Sequence, residues 1–131
     1  RIGTNGLVQY TLAVDRESRK LARLATYFGP AVVRLIKGVI HSWRFRQRPV
    51  SVCGAMASDP LAAILLVGMG LRSLSMEASA IPEVKAALSR VSLADAEDAA
   101  GTCFEASTAT ELEESLAERF APLLADILDP E

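Results

Sequence analysis

Seven consecutive apolar residues, Leu61 to Val67, follow an Asp59-Pro60 pair and run up to Gly68. An aspartate in that place can accept the free amides at a helix start, and proline suits the first turn because it has no N–H to lose there. A helix begun this way is apolar on nearly every face, so it has to be enclosed on all sides. At 131 residues, half of them hydrophobic, the chain can build one core around it and is too short for two domains.

The flanking pattern names the enclosing elements. Val50-Ser51-Val52-Cys53, between Pro49 and Gly54, reads as a short buried parallel strand, and Leu74-Ser75-Met76 as another. Ile2–Thr4 and Leu7–Val14 flank a Gly3-Thr4-Asn5-Gly6 turn of the kind that follows a strand. Between Glu17 and Phe28, residues Leu21, Leu24, Ala25 and Phe28 would share one helical face. Pro30 opens a longer helix with Val32, Leu35, Ile36, Val39, Ile40 and Trp43 toward a sheet and Arg34, Lys37, His41 and Arg44 on the far side. Ile81, Val84, Leu88 and Val91 stripe the helix after the last strand. Two capping boxes follow, Ser92 to Asp95 and Thr108 to Glu111. The second starts a helix striped by Leu112, Leu116, Phe120, Leu123, Leu124 and Ile127, which Pro122 is expected to kink or break. The prediction is an α/β chain of three βα units, with helices alone after them.

Charge is uneven. Residues 1–90 hold 13 Lys and Arg against 5 Asp and Glu, whereas residues 91–131 hold 1 Arg against 11 acids. Solvated helix faces are the plain reading; a basic face for an anionic ligand and an acidic docking surface are the alternatives. No aromatic residues interleave with the cations, so nucleic acid is not indicated. No apolar run is long enough for a membrane span, and no signal-peptide pattern opens the chain. Cys53 and Cys103 have no metal-ligand spacing, which fits free thiols and predicts a cytoplasmic protein. His41, the only histidine, is expected in solvent; Trp43 and Met56, Met69 and Met76 read as packing, with Met56 also a candidate pocket residue.

Three stretches carry a family resemblance. Gly3-Thr4-Asn5-Gly6-Leu7-Val8-Gln9-Tyr10-Thr11-Leu12-Ala13-Val14-Asp15-Arg16 resembles the GTNDLxQYxxAVDR block of phosphoenolpyruvate (PEP)-utilising enzymes. Val52-Cys53-Gly54-Ala55-Met56-Ala57-Ser58-Asp59-Pro60 resembles their CGEMAGDP block, and Gly68 to Leu71, Ser75-Met76 and Ile81-Pro82 resemble their final strand-and-helix signature. The three lie in register over about 90 residues, and the likeness is greatest to PEP–protein phosphotransferases, meaning Enzyme I of the phosphotransferase system and its nitrogen-regulatory paralogue. The resemblance implies the last three βα units of a TIM (βα)₈ barrel plus C-terminal helices, with residues 1–91 as barrel units 6 to 8 and 92–131 as an acidic helical extension. A whole barrel takes about 250 residues, so this reading makes the chain a partial barrel.

The resemblance also implies chemistry. The family moves the phosphoryl group of PEP to a histidine on another domain, through which a phosphocarrier protein is served. Magnesium and arginines hold the phosphate and enolate, and a cysteine protonates the enolate to pyruvate. Asn5 and Arg16 match substrate-binding positions: an amide donor and a guanidinium fork both suit phosphate oxygens. Cys53 matches the catalytic proton donor, since a thiol with a reference pKa near 8.5 can protonate an enolate and recover its proton from water. Gly6 stands where the family has an aspartate that ligates Mg²⁺, and Ala55 where it has a glutamate; Ser58 replaces a glycine. Gly6 lacks the hard oxygen that magnesium wants, so Mg²⁺ binding is expected to be weak, and Ala55 removes a carboxylate that in the family orders the neighbouring loop. With the family's other arginines, second acidic metal ligand and histidine domain expected in segments upstream of Arg1, the chain alone is expected to be inactive. Three function readings follow: part of a PEP–protein phosphotransferase, a non-catalytic interaction module derived from one, or a dikinase-type barrel, which the Val14-Asp15-Arg16 and Ser75-Met76 stretches disfavour. Open strand edges of a partial barrel predict a homo-oligomer.

Overall fold

A computed structural model describes residues 1–14, 17–21 and 24–129. It is α/β. Strand β1 (Ile2–Gly3) leads directly into helix α1 (Thr4–Leu12), and α2 (Pro30–Phe45) leads to β2 (Ser51–Cys53). A short α3 (Ala55–Ser58), the enclosed α4 (Pro60–Gly68) and β3 (Ser73–Ser75) follow. After β3 come a 3-10 turn (Ala78–Ala80), α5 (Ile81–Ser89), α6 (Leu93–Cys103) and α7 (Ala109–Leu128). The strands form one parallel sheet in sequence order, with Ile2 opposite Val52 and Val52 opposite Leu74. The next row joins Gly3, Cys53 and Ser75. Side chains alternate faces along a strand. Val52 is wholly buried, with Ile2 and Leu74 packed against the core, while Cys53 and Ser75 keep partial exposure.

The helix from which the sequence argument began is as enclosed as expected. Leu61 through Leu66 are all buried. Asp59 caps it, its Oδ1 accepting from the amides of Leu61 at 2.9 Å and Ala62 at 3.3 Å, while Oδ2 accepts from the Tyr27 hydroxyl at 2.6 Å. Burial and that hydrogen bond to Asp59 push the Tyr27 phenol up from its ordinary value. The enclosing partners are α5, α6 and α7, so the helices beyond residue 91 share the core of the α/β part. Helices α4 and α6 lie so close that a β-carbon at Gly68 would overlap the Ala96 carbonyl. Both N-caps form, Ser92 Oγ accepting from the Asp95 amide and Thr108 Oγ1 from the Glu111 amide, each at 3.1 Å, but neither box closes on the cap's own amide: Asp95 accepts from the Ser92 hydroxyl and Glu111 from the Ser107 amide.

Five expectations need correction. Leu7–Val14 is not a strand flank and Asn5 is not in a loop, because α1 starts at Thr4 and ends at Ala13, whose φ of 51° turns the chain. Burying Thr4 and Val8 one turn apart makes a helix the better solution there. Residues 17–21 and 24–28 do not form the helix read into Glu17–Phe28: Leu21, Leu24 and Ala25 are exposed and only Phe28 is buried. In α2 the buried face is Val32, Val33, Ile36 and Ile40, leaving Leu35, Val39 and Trp43 at 49, 37 and 44 % exposure. One helix face cannot pack all of so wide an apolar stripe, and the ridge at spacing four stays partly exposed, Val39 and Trp43 lining a groove with Ile2 and Val50. Last, α7 runs unbroken through Pro122, which lies on the exposed side while Phe120 and Leu124 hold the helix to the core. Strand β3 also starts one residue earlier than expected, at Ser73.

Candidate functional site

Parallel strands deliver all their carboxyl ends to one rim, where open α/β sheets place ligands. At that rim Asn5, Gly54, Ala55, Ser58, Ser75, Met76 and Glu77 line a cleft of about 580 Å³. Its floor is built by a close approach. Gly54 has φ of +101°, and a β-carbon there would sit 2.6 Å from Thr4 Oγ1 and 3.0 Å from Asn5 Oδ1. Only glycine has both the backbone freedom and the space. Across it the buried Thr4 hydroxyl donates to the Cys53 carbonyl at 3.0 Å, and the Ala55 amide donates to Asn5 Oδ1 at 3.1 Å.

Asn5 therefore ties the start of α1 to the start of α3 through its oxygen. No described residue accepts from its side-chain nitrogen, which leaves two N–H donors at the cleft. Cys53 ends the neighbouring strand; its thiol donates to the Ile2 carbonyl at 3.5 Å, and it sits one residue before the cleft wall rather than in it. The fold thus brings Asn5 and Cys53 to adjoining strand ends, while Arg16 lies outside the described residues.

Gly6 sits in the first turn of α1, where a β-carbon would meet nothing within 4 Å. Ala55 opens α3 and is exposed. Ser58 lines the cleft; Met56 is fully buried in the core, and it is Met76 that reaches the cleft wall. His41 is exposed.

Sequence reasoning passed over Thr4, Ser75 and Glu77. Ser75 Oγ accepts from the Arg1 guanidinium at 2.9 Å, and Glu77 is the one charged residue on the cleft lining. Position was the available signal, because Glu77 follows a strand end just as Asn5 and Gly54 do. Among the described residues the rim offers magnesium few oxygen donors. Gly6 and Ala55 carry no side-chain oxygen, Asn5 Oδ1 already accepts from the Ala55 amide, and among the described residues no three His, Cys, Asp or Glu side chains cluster. Among those residues too, no helix is long and apolar enough to cross a membrane.

Comparison with known proteins gives the family. The family model described as PEP-utilising enzyme, PEP-binding domain, matches residues 1–93. A phosphoenolpyruvate-protein phosphotransferase of Haloferax volcanii is 42% identical over 115 residues, 88% of this chain and 20% of that protein. One of Haemophilus influenzae is 39% identical over 117 residues, 89% of this chain and 20% of its own length. A multiphosphoryl transfer protein of Xanthomonas campestris is 42% identical over 118 residues, 90% of this chain and 14% of that one. The chain thus spans about a fifth or less of the length of these curated relatives. With the match to the family model covering most of its residues, the chain belongs to the PEP-utilising enzymes, in the part of them that is their PEP-binding domain.

Proposed function

We propose that this chain is part of the PEP-binding barrel of a cytoplasmic PEP–protein phosphotransferase, contributing three consecutive βα units in residues 1–91 and an acidic helical extension in 92–131. The observation that carries the reading is the rim itself: Asn5, whose amide nitrogen has no acceptor among the described residues, and Cys53 stand at the carboxyl ends of paired parallel strands beside one cleft. In this reading the Asn5 side-chain nitrogen donates to a phosphate oxygen, Arg16 pairs with the phosphate, and the Cys53 thiol supplies the proton that turns enolate into pyruvate. The phosphorylated histidine and the phosphocarrier protein belong to the rest of such an enzyme.

Gly6 and Ala55 favour a second reading, a barrel-derived module with a weakened site. The chain of 131 residues is expected to bind PEP with Mg²⁺ no tighter than millimolar by isothermal titration; a micromolar dissociation constant would exclude the weakened-site reading. In the protein carrying the rest of the barrel, Gly6→Asp together with Ala55→Glu should raise Mg²⁺-dependent phosphoryl transfer. The open space at Gly6 allows the first change. An unchanged rate would end the argument that these two positions limit activity.

A further inference from the structure

The same strands have an opposite end. Ser51 and Ser73 open β2 and β3, and below them Arg44, Arg48, Pro49, Gly70, Arg72 and Ser73 line a second pocket of about 230 Å³. Three arginines line it, no carboxylate is among the lining residues, and none of the ion pairs between described residues involves any of the three. One of them is held by hydrogen bonds. Arg72 Nη1 donates to the carbonyls of Leu71 at 2.8 Å and Val67 at 3.0 Å, just beyond the end of α4. Arg44 lies across Gly70, whose φ of +105° and missing side chain make the room; a β-carbon would run into the Arg44 guanidinium.

Binding the carbonyls that end α4 explains Arg72. It explains neither Arg44 nor Arg48. Gathering three like charges without a counter-charge raises their energy, and a bound oxyanion relieves it. Guanidinium forks match the oxygens of a phosphoryl group two at a time, and the Ser73 hydroxyl adds a donor. The volume accommodates one such group with a small organic remainder. We propose that the pocket at the amino ends of the strands binds a phosphate dianion, free or as a small phosphomonoester, through Arg44, Arg48 and Arg72. This site is separate from the Asn5 cleft and does not rest on the function proposed for it.

The test is amide and arginine side-chain NMR of the 131-residue chain, titrated with inorganic phosphate and with glycerol 3-phosphate against sodium chloride of equal ionic strength. Expected are saturable shifts at Gly70, Leu71, Arg72 and Ser73 with either phosphate, and none with chloride. Tighter binding of the ester assigns the site to organic phosphates; equal binding assigns it to the phosphoryl group alone. The double variant Arg44→Gln and Arg48→Gln should weaken binding at least about tenfold, two charge-assisted contacts being lost, with an unchanged melting temperature. Shifts that do not saturate, shifts that chloride reproduces, or undiminished binding by the folded double variant would overturn the proposal. If that variant does not fold, the wild-type titration decides alone.

Discussion

At the carboxyl ends of β1, β2 and β3 the chain turns straight into helices, and the short side chains that meet there carry one negative charge, on Glu77. At the amino ends of β2 and β3 it arrives through Arg48-Pro49-Val50 and Arg72, and three long cationic side chains ring a smaller pocket. The first end is built by short reach: Gly54, Thr4 and Asn5 fit against one another within hydrogen-bond distance. The second is built by long reach, with Arg44 draped over Gly70. The contrast separates geometry from charge. One end has the defined donors of a substrate site but little positive charge of its own among the described residues, and the other has charge on side chains that can adjust. If the cleft takes PEP, Arg1, whose guanidinium donates to Ser75 Oγ on the cleft lining, is the described cation at hand, and Arg16 is a further candidate.

Substituting the two left-handed glycines tests that contrast most strongly. Gly54→Ala should cost about 2–5 kcal/mol in chemical denaturation, because backbone strain adds to a collision with the buried Thr4. Gly70→Ala has a similar φ but meets the far end of a flexible arginine, so about 1–3 kcal/mol is expected. Equal costs would mean that the carboxyl end is no more tightly fitted than the amino end.

A smaller effect of opposite sign is expected at Gly6. It lies inside the first turn of α1, with open space at its β-carbon. Gly6→Asp should stabilise the chain by about 0.5–1.5 kcal/mol, through reduced backbone entropy in the unfolded state and a favourable charge at a helix start. A loss of stability would show that the carboxyl rim does not tolerate an acid there.

The smallest effect lies away from both ends. The hydrogen bond from Arg90 holds the Asp126 carboxyl below its ordinary value of 3.8. A lowered folded-state pKa means that the stabilisation is present above the unfolded value and fades as pH falls through the folded one. Melting of the wild type and of Asp126→Asn should therefore differ slightly at neutral pH and converge as pH drops below 3.8, with salt reducing the difference. A difference that persists in acid would assign the effect to something other than this pair.

Much of the fold was legible because its signals are local. The Asp59 cap, the apolar run after it, the Ser92 and Thr108 caps and the β2 segment each depend on neighbours a few residues away. The candidate site was legible in part. Asn5 and Cys53 emerged through motif resemblance, whereas Thr4 and Glu77 carried no motif of their own. Leu7–Val14 misled because apolar residues after a short strand suit a strand or a helix alike until Thr4 and Val8 are seen to be buried together.

By itself the sequence determined that α4 must be enclosed, that short parallel strands and capped helices would enclose it, and that the chain resembles the PEP-utilising enzymes. Tertiary structure alone decided which ridge of α2 is buried, that the Asn5 oxygen meets the Ala55 amide 50 residues on, and that arginines from two separate segments share one pocket. The physical reason is range. Caps and periodicity act within a helical turn, while contacts across the sheet depend on which distant segments are brought side by side, and no local pattern records that.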